Sequence, residues 1–312
     1  METIIITGGA GFIGSHLCDA LVNNYKVICI DNFITGRRKN VAHLSSNKNF
    51  VLIEHDVTKP MKITENVKYI FHLASPASPI DYQLRPIKTM LANSFGAYNM
   101  LELAKEKNAR ILLASTSEVY GDPKEHPQKE TYWGNVNPIG PRSCYDESKR
   151  FAEALAMSYL KEHKVDIRLA RIFNTYGPRM RENDGRVIPN FISQALQNQP
   201  ITVYGNGSQT RSFCYVSDLV NGLKRFMFKE SLSGEVINLG NPEECTILET
   251  AKTVKQIIGN SSEISFKELP QDDPLRRNPD ISKAKKILSW QPEISFDEGL
   301  RKTIPAFKSA KI

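Results

Sequence analysis

The start of the chain constrains the fold more than any other segment. Residues 3–7 read TIIIT, an unbroken run of β-branched residues that is typical of a parallel strand buried on both faces of a sheet. Four glycines, Gly8, Gly9, Gly11 and Gly14, follow this run and lead into a stretch with helical spacing, FIGSHLCDALVNN. A strand, a glycine turn and a helix in this order predict the first unit of a doubly wound α/β fold.

Strand-like and helical segments alternate as far as residue 173. Further strands are predicted at 26–31, 50–56, 67–74, 109–115 and 165–173, and long helices at 86–107 and 147–163. This alternation predicts a Rossmann-like, doubly wound parallel sheet over residues 1–173, which we expect to bind a dinucleotide. Turns then become frequent, and shorter helices are predicted at 188–197, 217–229 and 246–258. We expect residues 174–312 to form mainly a smaller, mixed α/β substrate-binding region, with late strand-like runs such as EVINLG returning part of the chain to the sheet.

Composition excludes several classes of protein. The 312 residues are 40% hydrophobic, enough for a large core, and no apolar run approaches the roughly 18 residues that span a bilayer. The chain opens directly into a strand, so we expect no secretory signal, and without a long apolar run we expect no membrane partner. Its five cysteines are scattered without a CxxC pair, which favours reduced thiols in the cytoplasm. The six histidines show no metal-ligand spacing, so no metal site is expected.

The formal charge of +7 could indicate a protein that binds nucleic acid. Lysines and arginines are spread along the chain, however, and only Arg37, Arg38 and Lys39 form a short cluster. No basic stripe interleaved with aromatic residues is present, so we expect no nucleic-acid partner. A small anionic substrate would need only a few of these arginines.

The glycine segment TGGAGFIGSHL predicts a dinucleotide site, because glycines let a pyrophosphate approach the free N–H groups at the start of the helix. Asp31, at the end of the second strand, can accept both hydroxyls of the adenosine ribose and would repel a 2′-phosphate, which favours NAD over NADP. Arg37 and Arg38 leave NADP open, since nearby arginines can accommodate that phosphate. The expected cofactor contacts are Gly8, Gly11, Phe12, Ile13, Gly14, Asp31, Asn32, Thr35, Gly36, Asp56, Val57, Leu73, Ala74, Ser75, Tyr145 and Lys149.

A second motif carries catalytic potential. Tyr145 and Lys149 form Y-x-x-x-K, which places both side chains on one side of a helix. A lysine ammonium close to a phenol lowers its pKa, and the phenolate can then take a proton from a sugar hydroxyl. The strand end STSEVYG adds Thr116 or Ser117 as a hydrogen-bond donor to the reacting oxygen. Glu118 could serve as acid, base or electrostatic element.

These motifs together resemble the extended short-chain dehydrogenases/reductases that act on nucleotide sugars. Longer stretches resemble one family, the UDP-glucuronate decarboxylases, also called UDP-xylose synthases. They span residue 4 to about residue 290: DNFITGRRKN, HLASPASP, LLASTSEVYGDPKEHPQ, YWGNVNPIGPRSCYDESKR, ARIFNTYGPRM, NDGRVIPNF, TVYGNGSQTRSFCYVSDLV, NLGNPEECTILE and QDDPLRRNPDISKAKKIL. The resemblance implies decarboxylation of UDP-glucuronate to UDP-xylose through a 4-keto intermediate, with NAD recycled.

The resemblance also implies roles for particular residues. The expected catalytic residues are Thr116, Ser117, Glu118, Tyr145, Lys149 and Arg277. Asn174 and Arg211 fall on positions that bind the diphosphate, Val187, Tyr204 and Gln209 on positions around the uridine, and Arg277 also faces the substrate. The resemblance further implies a homodimer that pairs through helices 86–107 and 147–163 in a four-helix bundle.

Departures from related patterns keep alternatives open. Nucleotide-sugar 4,6-dehydratases typically carry Asp-Glu after the threonine, where this chain has Ser117 and Glu118, and 4-epimerases typically have small or hydroxyl residues at the position of Glu118. Leu91 and Ala92 stand where the decarboxylases usually have lysine and threonine, and Ser148 where they have glycine. A UDP-glucuronate 4-epimerase is therefore the main alternative, ahead of a dehydratase. A non-catalytic NAD-binding scaffold would show a broken Tyr/Lys pair or a lost aspartate, and both features are intact.

Overall fold

The computed structural model describes residues 1–269 and 274–309. Its strands are β1 (Thr3–Thr7), β2 (Lys26–Asp31), β3 (Phe50–Glu54), β4 (Val67–His72), β5 (Arg110–Thr116), β6 (Ile167–Ile172), β7 (Thr175–Tyr176), β8 (Ile201–Tyr204), β9 (Thr210–Ser212), β10 (Cys214–Tyr215), β11 (Glu235–Leu239), β12 (Glu244–Thr246), β13 (Ile264–Lys267) and β14 (Arg276–Arg277). Its α-helices are α1 (Phe12–Leu21), α2 (Pro79–Leu84), α3 (Pro86–Lys107), α4 (Ser143–His163), α5 (Val187–Leu196), α6 (Val216–Phe228), α7 (Ile247–Ile258), α8 (Ser282–Leu288) and α9 (Phe296–Ser309). Short 3-10 turns lie at Arg38–Asn40, Ala42–Leu44 and Ser117–Tyr120.

The main sheet confirms the predicted doubly wound fold. Its strand order is β11-β6-β5-β4-β1-β2-β3, and every pair in it is parallel. The three isoleucines of β1 are fully buried because helices cover both faces of the sheet. On one face, Ile4 and Ile6 pack with α1 and α6, and on the other Ile5 packs with α3 and α4. The carboxyl ends of β1, β2, β4 and β5 therefore meet at one edge, where a ligand crevice is expected.

The predicted elements of the first half correspond closely to those in the structure. Helix α3 has the predicted bounds, whereas α4 begins four residues before the predicted start at 147, at Ser143. The chain also returns to the sheet after residue 173, because β11 pairs with β6 from Glu235↔Arg168 to Leu239↔Ile172. Small two- and three-stranded sheets and helices α5 and α7 build the remaining part, which faces the carboxyl edge of the main sheet.

None of the helices within residues 1–269 and 274–309 has the length and apolarity needed to span a bilayer. The same described residues include no group of three or more His, Cys, Asp and Glu side chains arranged to hold a metal ion.

Candidate active site

A cavity of about 740 Å³ runs along the carboxyl edge of the main sheet and continues under the smaller sheets. It brings together every residue predicted for the site with the exception of Gly36. Gly8 and residues 11–14 line one end, Tyr145 and Lys149 lie in the middle, and Tyr204, Gln209 and Arg211 line the other end. Segments far apart in the sequence therefore share one continuous space.

The glycine loop is shaped for an anion. Gly8 has φ +68°, and an added Cβ there would lie 2.9 Å from the backbone of Ala74, while a Cβ at Gly14 would overlap the Gly8 carbonyl oxygen. Helix α1 starts after Gly11 with no side-chain cap and no acidic residue in its first turn among the described residues. Its first N–H groups and its dipole are therefore available to a pyrophosphate, so the loop fits a dinucleotide.

Asp31 is held in position for a ribose. It ends β2 and is only 7% exposed, and its two carboxylate oxygens accept the N–H groups of Ala10 at 3.0 Å and Phe33 at 2.8 Å. Burial raises the pKa of Asp31, and these two hydrogen bonds oppose the shift. Gly36 was predicted to contact the cofactor, but it does not line the cavity. It lies behind Asp31, where an added Cβ would come within 2.6 Å of Oδ1 and 2.7 Å of Oδ2.

Arg37 and Arg38, which kept NADP as an alternative cofactor, are bound to other groups. Arg37 donates from Nη2 to the carbonyl oxygens of Arg179 at 3.3 Å and Met180 at 3.2 Å. The guanidinium of Arg38 lies 4.1 Å from the centre of the Phe33 ring and pairs with Glu54. Neither contact places a guanidinium against the Asp31 carboxylate, which leaves the acidic side chain to face the ribose.

The remaining predicted cofactor residues line the cavity beside the glycine loop. Asn32 and Thr35 follow β2, Asp56 and Val57 follow β3, and Leu73–Ser75 follow β4. Asp56 is fixed by its own turn, because its Oδ1 accepts the N–H of Thr58 at 3.0 Å and the hydroxyl of Thr58 at 2.9 Å.

The first two turns of α4 carry Tyr145 and Lys149. Tyr145 is 6% exposed, and its hydroxyl is hydrogen-bonded to Thr116 at the end of β5. The Lys149 ammonium donates to the Ala114 carbonyl oxygen at 2.8 Å and lies 5.8 Å from the centre of the Tyr145 ring. Burial raises the pKa of Tyr145, with the Thr116 hydrogen bond opposing, and burial lowers the pKa of Lys149 to about 8. In the free protein, burial thus outweighs the expected effect of the lysine on the phenol.

Glu118 lies between two guanidinium groups. Its Oε2 pairs with Arg142, and its Oε1 accepts from Nη1 of Arg277 at 2.5 Å. Arg277 is 2% exposed and also donates to the Ser117 hydroxyl at 3.1 Å and the Gly121 carbonyl oxygen at 2.8 Å. Burial alone would raise the pKa of Glu118, but the two arginines hold it at about 2. The carboxylate is therefore ionised at neutral pH.

Arg142 was not predicted from the sequence, although it lines the cavity and is the N-cap residue of α4, three positions before Tyr145. Its closeness to the Y-x-x-x-K motif was the available signal. The cavity wall also includes Tyr82 from α2, and Arg186 immediately before α5. Tyr82 belongs to no recognisable motif, so only the fold reveals it, whereas Arg186 lies in the stretch NDGRVIPNF that carries part of the resemblance.

The predicted substrate residues line the far end of the cavity. Arg211 lies on β9 directly beside Arg277 of β14, since the two strands pair in parallel at these residues, and Arg211 is 8% exposed. The amide of Gln209 donates to the Tyr204 carbonyl oxygen at 2.7 Å. Asn174 and Val187 also face the cavity, Val187 as the first residue of α5.

Comparisons with known proteins agree with this geometry. The profile of the GDP-mannose 4,6 dehydratase family matches residues 5–303. UDP-glucuronic acid decarboxylase 1 of Danio rerio is 58% identical over 98% of this chain and 72% of its own length. The proteins of that name from Xenopus tropicalis and Arabidopsis thaliana are each 57% identical over 98% of this chain, and over 72% and 70% of their own lengths. The chain belongs to the UDP-glucuronate decarboxylase family.

Solved structures place this family member among nucleotide-sugar enzymes of one fold. The UDP-glucuronic acid 4-epimerase of Bacillus cereus, in complex with UDP-glucuronic acid and NAD, is 30% identical with a TM-score of 0.91, covering 99% of this chain and 100% of that one. A UDP-N-acetylglucosamine 4-epimerase from Methanobrevibacter ruminantium M1 is 29% identical with a TM-score of 0.91, covering 99% of both chains. These likenesses confirm the predicted fold class and family.

Proposed function

We propose that this protein decarboxylates UDP-glucuronate to UDP-xylose through a 4-keto intermediate, with NAD recycled. One observation carries the proposal: a single cavity joins the dinucleotide loop, the Tyr145–Thr116 pair and a Glu118 carboxylate held between two arginines. The curated relatives are named UDP-glucuronic acid decarboxylases at up to 58% identity, which supports the substrate and the reaction.

NAD is the proposed cofactor. The glycine loop and the start of α1 would hold its pyrophosphate, and Asp31 would accept the ribose hydroxyls. When bound, an oxidised nicotinamide accepts a hydride from C4 of the sugar and later returns it. The positions of Arg37 and Arg38, both directed away from Asp31, support NAD rather than NADP.

Tyr145 is the proposed base. As the phenolate, with Thr116 donating a hydrogen bond to its oxygen, Tyr145 would take the proton of the sugar 4-hydroxyl as C4 is oxidised. The 4-keto sugar is a β-keto acid, so the bond between C5 and the carboxylate breaks, carbon dioxide leaves, and the electron pair forms an enolate. Hydrogen bonds from Thr116 and Tyr145 to the enolate oxygen would stabilise it. C5 then takes up one proton, and Tyr145 returns its proton to the oxygen of C4 as that carbon is reduced.

Arg142 and Arg277 provide the positive charge that an anionic sugar needs. Both line the cavity next to Tyr145, and guanidinium groups bind carboxylates through paired hydrogen bonds. Glu118 offsets part of this charge and fixes the orientation of both arginines. Arg211, next to Arg277 on the neighbouring strand, would bind the diphosphate together with Asn174.

A UDP-glucuronate 4-epimerase is the second candidate. Leu91 and Ala92 line the cavity where the decarboxylases usually carry lysine and threonine, and a solved structure of similar fold is such an epimerase. An epimerase would retain the carboxylate and reduce the keto group from the opposite face.

Mass spectrometry of the nucleotide sugars distinguishes these reactions. The purified protein is incubated with UDP-glucuronate and NAD, and a product lighter by one carbon dioxide establishes decarboxylation. An unchanged mass with a new retention time means epimerisation at C4, and no change rejects this substrate. UDP- and dTDP-glucose are then tested, with loss of water marking a dehydratase. Tyr145→Phe is the inactive control, and Tyr159→Phe, a buried tyrosine further along α4 and outside the cavity, is the matched control.

We also propose a homodimer that pairs through α3 and α4. These two helices pack against each other and leave large apolar side chains exposed on their outer faces. Ile87 is 72% exposed, Phe95 57% and Tyr98 46% on α3, and Phe151 is 50% exposed on α4. A second copy would cover this apolar face and form a four-helix bundle. Sedimentation equilibrium of the purified protein measures the expected dimer directly.

We place the protein in the cytoplasm. The structure shows free thiols at Cys18, Cys29, Cys144, Cys214 and Cys245, as expected in a reducing compartment. Microscopy of the protein fused to a fluorescent protein at its C-terminus tests this location.

A further inference from the structure

The ring of Tyr145 is covered by a second tyrosine ring. Tyr82, from α2, lies parallel to it, with 5.1 Å between the ring centres and 8° between the planes. Tyr82 is 1% exposed, and with Cys144 the two rings form a small apolar cluster of their own. The proposed mechanism uses the hydroxyl of Tyr145 and gives Tyr82 no part.

The position of Tyr82 is fixed by the way α2 is held. The Ser78 side chain caps this helix by accepting the N–H of Asp81 at 3.2 Å, and Asp81 in turn pairs with Arg181. The Cys144 thiol donates to the Tyr82 carbonyl oxygen at 3.5 Å, which joins α2 to the first turn of α4. A ring with so little freedom can hold its neighbour in one orientation.

We propose that Tyr82 is a positioning residue for Tyr145: its ring fixes the plane of the Tyr145 ring, keeps the Tyr145 hydroxyl at Thr116, and excludes water from that face. This inference rests on the proposed function, because it assigns Tyr145 the role of base. Stacked aromatic rings restrict each other's rotation and contribute beyond the area they bury.

The electrostatic surroundings of Tyr145 agree with this role. The charged and polar groups near Tyr145 are Thr116 at the end of β5, Glu118 in the following 3-10 turn, Asp146 and Lys149 on α4, and Arg186 before α5. Among all these influences burial is the largest, and it raises the pKa of Tyr145. The Tyr82 ring supplies part of that burial. Without this ring, water would reach the phenol and its pKa would fall toward the ordinary value.

The ring of Tyr82, and not its hydroxyl, is proposed to position Tyr145. This oxygen is buried and has no hydrogen-bond partner among the described residues. Removing it leaves no other group unpaired, so phenylalanine should replace tyrosine at this position without loss. Leucine keeps an apolar side chain but removes the flat ring. The pair Tyr82→Phe and Tyr82→Leu thus separates the ring from the hydroxyl.

NMR of ¹³C-labelled tyrosine rings measures the orientation of Tyr145 directly. The Tyr145 signals are assigned by their absence in Tyr145→Phe. We expect separate signals for the two edges of the ring in the wild type and in Tyr82→Phe, because flipping is slow. Tyr82→Leu should give one averaged signal. Tyr25→Leu is the matched control, since Tyr25 stacks on Phe228 at 5.2 Å and 1° outside the cavity and its removal should leave Tyr145 unchanged.

Kinetics with UDP-glucuronate provide the second readout. Tyr82→Leu should lower kcat about fivefold to tenfold with little change in KM, because the loss of stacking affects the base and not substrate binding. In the profile of kcat against pH, Tyr82→Leu should reach its maximum at a lower pH than the wild type, because the pKa of Tyr145 is lower in this variant. Tyr82→Phe should retain the rate and the pH profile of the wild type.

Two results would overturn the inference: unchanged ring signals and kcat in Tyr82→Leu, or equal losses in Tyr82→Phe and Tyr82→Leu. Circular dichroism and thermal melting verify that each variant folds. If Tyr82→Leu does not fold, Tyr82→Met replaces it, because methionine fills the volume without a flat ring. The ring signals do not depend on turnover, so they test Tyr82 even if the wild-type protein fails to convert UDP-glucuronate and the proposed function is wrong.

Discussion

Gly36 offers a way to disturb Asp31 without changing it. A Cβ at residue 36 would lie 2.6 Å from Oδ1, 2.7 Å from Oδ2 and 2.8 Å from Cγ of Asp31. These distances are shorter than van der Waals contact, so the carboxylate must move. It is held by the N–H groups of Ala10 and Phe33, and a shift would weaken both hydrogen bonds. Gly36→Ala should therefore displace the proposed ribose acceptor.

The expected loss of NAD affinity follows from the proposed hydrogen bonds between Asp31 and the ribose. A hydrogen bond to a charged group contributes about 1.5–3 kcal/mol. If the displaced carboxylate loses one of its two proposed bonds to the ribose, the dissociation constant for NAD should rise about tenfold to a hundredfold. The NAD-free protein is titrated with NAD in a calorimeter, next to Asp31→Ala and to the double variant. Because both changes act through one carboxylate, the double variant should bind no more weakly than Asp31→Ala.

Gly259→Ala is the control. Gly259 follows α7 outside the cavity, and an added Cβ there would meet nothing within 4 Å. Its φ of +75° makes alanine somewhat destabilising, but NAD binding should not change. Gly36 does not act through Asp31 if Gly36→Ala binds NAD within about twofold of the wild type, or if its loss of affinity adds fully to that of Asp31→Ala.

Three further predictions concern the catalytic groups and the dimer. Burial lowers the pKa of Lys149 from 10.5 to about 8, so the unfolded chain binds this proton more tightly between those values. The wild type should therefore gain stability in urea relative to Lys149→Met as the pH rises across that window, and a constant difference between the two would contradict this. Glu118→Gln should lower the free energy of unfolding by about 3 kcal/mol, because two buried guanidinium groups lose their shared counter-charge, and an unchanged value would contradict this. Phe95→Glu should give a monomer in sedimentation, and a persisting dimer would exclude α3 from the interface.

The fold was largely predictable because its signals are local. The TIIIT run, the glycine turn and the alternation of strands with helices each lie within a short window of sequence. Helix α3 was predicted to the residue, since Pro86 starts it and Asn108, with φ +49°, ends it. The start of α4 was predicted too late, because Ser143–Asp146 do not carry a periodic apolar pattern.

The site was predictable only in part, for a physical reason. Arg277 contacts Glu118 across 159 positions of sequence, and such a contact leaves no periodic signal. Arg277 was found through the family resemblance, whereas Tyr82 was missed because no motif marks it, and Arg142 was missed although it lies in the quoted stretch YWGNVNPIGPRSCYDESKR. The pKa of Tyr145 in the free protein could not be predicted for a related reason, since spacing shows that two groups are near but not how deeply they are buried. Burial is set by the whole fold, and in the free protein it dominates the pKa values of both residues.

The structure narrows the role of Glu118, for which the sequence allowed acid, base or electrostatic function. The two arginines hold the pKa of Glu118 well below its usual range, so the carboxylate is ionised in the free protein, which favours an electrostatic role over that of a general acid. Both of its oxygens face guanidinium groups of Arg142 and Arg277, so acting as a base would require breaking a charged pair first. The electrostatic role remains. Decarboxylation places one new proton on C5, and the proton taken up by Tyr145 is needed again at the oxygen of C4. The C5 proton must therefore originate in solvent, and Glu118 would act by holding the two arginines, and any water between them, at the face of the sugar where that proton arrives.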